Sequence, residues 1–99
     1  MNKKIKGAKR ARHMQMYEAI LTLKTLDECT SFFDDLCSVT ELRAMEQRYQ
    51  VARMLSDGHI YNAISEQTGA SSATISRVNR SLHASAGGYE TAFKRLGKK

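Results

Sequence analysis

The residues with the most chemical content run from Ile64 to Val78: Ile-Ser-Glu-Gln-Thr-Gly-Ala-Ser-Ser-Ala-Thr-Ile-Ser-Arg-Val. Gly69 permits the positive φ that a tight turn between crossed helices needs, and Ala70 is small enough to sit beneath the crossing. Ile64, Thr68, Ile75 and Val78 fall at helical spacing on either side of that turn and would lock two short helices together. With those four inward, Ser72, Ala73, Ser76, Asn79 and Arg80 face outward on the second helix. Small residues at its N-terminal end allow close approach to a major groove, where hydroxyls bond base edges or phosphates. The helix N-terminal amides favour phosphate, and Arg77 and Arg80 supply charge toward the nucleic-acid backbone. Ser71, Thr74 and Arg77 complete the contacts on this side of the turn, and Asn62 adds one from the first helix. A plain helical hairpin accounts for the spacing alone. A DNA-binding helix-turn-helix, over about 60–83, accounts as well for Gly69-Ala70-Ser71 beside Ala73-Thr74-Ile75-Ser76-Arg77 and for the local basic excess.

Other chemistry finds little support. Cys29 and Cys37 lie beside Phe32, Phe33 and Leu36, the setting of small buried thiols, and metal ligation needs closer pairing or histidines at fitting spacing. His59 and His83 form no such motif. Asp27-Glu28 and Asp34-Asp35 are adjacent pairs, which do not converge on one point of a helix. No serine sits in a nucleophile elbow and no glycine-rich phosphate loop is present, so neither an enzyme nor a metal site is expected.

The elements that position the motif read as helices throughout, because the chain holds no Pro and its glycines are scarce before Gly58. From Met14 to Leu26 only Gln15, Glu18, Thr22 and Thr25 form a polar stripe. So wide an apolar face needs cover on several sides, and a second subunit is the simplest source. Thr25-Leu26-Asp27-Glu28 and Ser38-Val39-Thr40-Glu41 each fit a capping box. The first opens a helix with Cys29, Phe32, Phe33, Leu36 and Cys37 on its apolar side. The second opens a longer one through Leu42, Met45, Tyr49, Ala52 and Leu55, ended by Gly58. Beyond it, Ile60, Ala63, Ile64 and Thr68 form one face, and Ser71 or Ser72 caps a helix that buries Ile75, Val78 and Leu82. Gly87-Gly88 marks a turn before a last amphipathic helix with Tyr89, Ala92, Phe93 and Leu96. Met14, Met16, Met45 and Met54 fall on apolar faces as core filling.

The chain has 99 residues and a net charge of +6. Residues 1–13 carry six basic side chains and no acid; 14–57 sum to −4 and 58–99 to +4. A polyanion is therefore drawn to the C-terminal half and to the leading arm. Residues 1–13 read as a basic flexible arm, with His13-Met14 resembling a cloning scar, and 14–99 as one helical domain. No apolar run approaches the roughly 20 residues of a membrane span, and two cysteines do not make a disulfide scaffold.

The segment Gly69 to Arg77, with Ala-Ile-Leu-Thr-Leu-Lys-Thr-Leu-Asp-Glu-Cys (Ala19 to Cys29) and Phe-Phe-Asp-Asp-Leu-Cys (Phe32 to Cys37), resembles the YerC/YecD branch of the Trp-repressor family over roughly residues 16–96. The resemblance implies an all-α fold of about six helices in an intertwined homodimer that presents the helix-turn-helix twice. It also implies a bacterial transcriptional regulator. The expected protein is a cytoplasmic, nucleoid-associated repressor on double-stranded DNA, and two recognition helices reading half-sites about one helical turn apart make its operator a rough palindrome. In the Trp repressor two arginines hold tryptophan between the long central helix and the recognition helix; Arg48 and Arg77 match them. Ser38 matches a threonine near the ligand and Ser81 a serine of the same pocket. Val78 departs from the pattern, standing where tryptophan-binding members have a glycine against the indole ring, so a different small corepressor or none is expected. A helical adaptor that docks another protein and a nonspecific DNA binder that relies on the arm remain the other readings.

Overall fold

A computed structural model of the chain describes residues 13–84 and 86–97. The described residues form six helices and no strand, in the order α1 (Met14–Leu21), α2 (Leu26–Leu36), α3 (Val39–Ser56), α4 (Tyr61–Thr68), α5 (Ser72–Leu82) and α6 (Gly88–Arg95). The fold is all-α, as expected. Residues 1–12 of the basic arm, and Lys98 and Lys99, lie outside the described residues. The chain divides into two compact units, Met1–Cys37 and Ser38–Lys99.

In the first unit, α1 stops at Leu21 rather than continuing to Leu26. The Thr22 hydroxyl donates to the Ala19 carbonyl at 2.7 Å, and the Thr22 and Leu23 amides close tight turns onto Ala19 and Ile20. Bonds of that length tighten a last turn and end it. Thr25 is thereby released to an extended conformation and caps α2, accepting from the Glu28 amide at 3.0 Å. The predicted box is staggered: the Glu28 carboxylate accepts from the Lys24 amide at 2.8 Å rather than from Thr25. Neither helix has a fully buried residue. Cys29 and Cys37 are free thiols and half-buried rather than enclosed, near an edge-to-face pair of Phe32 and Phe33 at 5.6 Å. Met14 and Met16 are exposed and fill no core within the single chain.

The second unit opens with the complete capping box predicted at Ser38. The Glu41 amide donates to Ser38 Oγ at 3.1 Å, and the Ser38 amide donates to Glu41 Oε1 at 2.8 Å. Gly58, with φ +93°, follows the end of α3 as predicted. The core consists of Val51, Ala52, Ile64, Ala70, Ile75, Val78 and Phe93, each large member contributing on the order of 1.5–3 kcal/mol. The apolar stripe expected on α3 is only partly enclosed. Ala52 is buried and Leu42 and Leu55 half-buried, whereas Met45 and Tyr49 are exposed. The helix is longer than the elements covering it, since α4 and α5 pack on α3 where Val51 and Ala52 lie. Ile60 is not on the α4 face at all; it is the N-cap, 68% exposed. At the far end, α6 buries Phe93 against Tyr49 and Tyr89, with the Arg53 guanidinium 4.8 Å above the ring. Ala92 and Leu96 are exposed, because Leu96 has already left the helix as its C-cap and a single ring anchors α6.

Candidate nucleic-acid interface

The turn between α4 and α5 is held at several points. Gly69 adopts the left-handed conformation, φ 76° and ψ 3°, while its amide still donates to Ser65 at 2.8 Å. A side chain there would meet Gln47 Nε2 only at 3.9 Å, so the demand for glycine comes from the φ angle and not from crowding. The Thr68 hydroxyl donates to the Ile64 carbonyl at 2.8 Å and accepts from the Ala70 amide at 3.1 Å. From α3, Gln47 Nε2 donates to the Thr68 carbonyl at 3.1 Å. Ala70 is buried beneath the crossing, as its size predicts. Gln47 carries no signal in the sequence, since a glutamine on an amphipathic helix is an ordinary surface residue.

Ser71 caps α5: its hydroxyl accepts from the Thr74 amide at 3.1 Å and donates to Thr74 Oγ1 at 3.2 Å. Ile75 and Val78 are buried and point the helix into the core. Of the predicted contacts, Asn62, Ser71, Ser72, Ala73, Arg77 and Arg80 are exposed, whereas Thr74, Ser76 and Asn79 are half-buried. The outward set is corrected accordingly. At about 100° per residue, Asn79 lies only ~40° round the helix from Ile75, so it flanks the core. Arg77, about 200° from Ile75, stands opposite and joins Ala73 and Arg80. Hydroxyl commitments narrow the set further, since the Ser71 proton already serves Thr74. The far end of α5 is closed by His83 Nδ1–H, which donates to the Asn79 carbonyl at 2.9 Å. No acidic residue occurs from Gln67 to Tyr89, while Arg77 and Arg80 lie within that span. The outward face of α5 is thus basic, narrow at its N-terminal end and backed by a rigid apolar contact, which suits it to a polyanion groove.

The candidate ligand residues are dispersed in their uses. Ser38 is committed to the capping box. Arg48 and Arg77 are both exposed. Among the described residues the one ion pair joins Arg53 to Asp57 at 3.7 Å, so neither Arg48 nor Arg77 is held by a carboxylate there. Ser81 borders an apolar depression of about 350 Å³ together with Leu82 and Tyr89, and neither arginine lines it. Val78, 2% exposed, fills its own surroundings as a core residue. Among the described residues no group of three or more His, Cys, Asp and Glu is placed to hold a metal, and no helix is long and apolar enough to cross a membrane.

The model of the family described as Trp repressor protein matches residues 11–97. The chain belongs to the Trp repressor family. The uncharacterized protein YerC of Bacillus subtilis (strain 168) is 50% identical over 82 residues, covering 83% of this chain and 79% of YerC. A TrpR-like protein from Eubacterium eligens ATCC 27750 superposes with a TM-score of 0.81 at 51% identity, over 85% of this chain and 87% of that one. A candidate Trp repressor from Staphylococcus aureus also superposes with a TM-score of 0.81, at 45% identity over 86% of this chain and 85% of its own. The family assigned from the three sequence segments is the one these similarities show.

Proposed function

We propose that the protein is a sequence-specific DNA-binding transcriptional regulator, a repressor, that works as a homodimer on a palindromic operator. The observation that carries this reading is the outward face of α5. Ser72, Ala73, Arg77 and Arg80 are exposed in an acid-free stretch, on a helix fixed through Ile75 and Val78. In this reading Ser72, Ala73 and the accessible edge of Ser76 approach base edges, and Asn62, Arg77 and Arg80 hold phosphates. A second copy of the chain covers the apolar side chains that each unit leaves exposed, namely Tyr17, Leu21 and Leu26 in the first and Met45 in the second. Two copies present two recognition helices to half-sites about one helical turn apart. Residues 14–99 act as the DNA-binding part, and the arm at 1–13 adds nonspecific attraction.

The regulator does not take tryptophan as its corepressor. Val78 is buried in one core cluster with Ile75, Val51 and Ile64, where an indole would need open space. Arg48 and Arg77 remain available for a smaller anionic effector or for phosphates. Binding measured across a salt series tests the whole reading. A regulator keeps an operator-over-random preference of ~10³-fold or more at physiological salt, and added tryptophan leaves it unchanged. An adaptor or a nonspecific binder loses all affinity together as salt rises.

A further inference from the structure

One side chain ties the helix-turn-helix to the rest of its unit by a directional bond. Gln47 Nε2 on α3 donates to the Thr68 carbonyl at 3.1 Å in a part-buried setting, across a sequence separation of 21. Every other side-chain hydrogen bond among the described residues spans four positions or fewer. The Thr68 carbonyl is one of the groups that the end of α4 leaves without a helical partner. The Thr68 hydroxyl is occupied by Ile64 and Ala70, so the amide of Gln47 is the donor that satisfies that carbonyl. The remainder of the contact of α3 with α4 and α5 is apolar, formed by Val51, Ala52, Ile64, Ile75 and Val78. Apolar burial is non-directional and tolerates small rotations of one helix on another, whereas a hydrogen bond weakens steeply when misaligned.

We propose that Gln47 is the positioning residue that indexes the α4–α5 pair on α3, and so sets the half-site spacing that two copies accept. This rests on the paired-regulator reading above. Gly69 bears on the arrangement through its backbone alone: its left-handed φ of 76° turns the chain after Thr68, and a Cβ there would still clear the Gln47 amide at 3.9 Å.

The test uses the full chain with Gln47→Leu and Gln47→Glu, which keep similar bulk without a donor, and Gln47→Arg, which keeps donors. Affinities are measured for the selected operator and for versions with one base pair inserted or removed between half-sites. The wild type should discriminate by ~10-fold or more. Gln47→Leu and Gln47→Glu should reduce that ratio below about threefold, with nonspecific affinity and salt slope unchanged, and Gln47→Arg should restore it. Undiminished discrimination without the donor overturns the proposal, as does a loss of all DNA binding in step with helix content. Amide hydrogen exchange supplies an arm independent of any operator. Gly69 and Ala70 should exchange about tenfold faster in Gln47→Leu while Val51 and Ala52 are unchanged. Should the wild type select no operator, the regulator reading fails, and equal exchange at Gly69 and Ala70 would separately overturn the role of Gln47.

Discussion

Among single residues, those that stand outward from α5 and those that stand behind it carry the proposed function. Ala73 is exposed at the N-terminal end of that helix, where a carboxylate would face phosphates and the acceptor-rich groove. Ala73→Glu should lower operator affinity by ~100-fold or more while circular dichroism and assembly stay as in the wild type. Ile75→Ala, at a site with no exposure, should cost about 2–5 kcal/mol in urea unfolding. Ile75, Val78 and Ala70 were legible as inward residues because apolar type and helical spacing agree there. Ser76 and Asn79 were not, because a serine or asparagine beside a core stripe has no composition signal for the few tens of degrees that decide its exposure. Gln47 was illegible for a related reason: its partner is a backbone carbonyl far along the chain, and backbone groups leave no trace in residue type.

Among the helices, the local rules written into the sequence were those with a fixed short-range partner. Ser38 and Glu41 form their box because both bonds close within one turn, and Ser38→Ala should lower stability by about 1 kcal/mol, read as a shift in the urea midpoint. Gly69→Ala should cost ~1–2 kcal/mol from its φ of 76°, with no steric contribution from Gln47. The end of α1 was misplaced because the apolar pattern continues through Leu23 and Leu26 although the Thr22 hydroxyl has already taken the Ala19 carbonyl. Ile60 and Leu96 misled for the opposite reason. Each sits one position outside its helix, where periodicity no longer says which way a side chain points.

For the whole molecule, the proposed homodimer would cover the hydrophobic residues left exposed in each unit. Leu21 and Leu26 are each more than four-fifths exposed, and neither α1 nor α2 encloses any residue, which is a poor end state for a chain of this apolar content. Sedimentation should give a mass near twice the 11.1 kDa of one chain, and Leu21→Asp should weaken that association by ~10-fold or more. In the proposed dimer one recognition helix becomes two, and the pair would read a palindrome. The most direct measurement incubates the protein from Met14 onward with fragmented bacterial genomic DNA at near-physiological salt and sequences what is retained. The expected result is a small set of fragments sharing a palindrome with half-sites about one helical turn apart. Retention in proportion to genomic abundance, or none with and without an added metabolite extract, would contradict it.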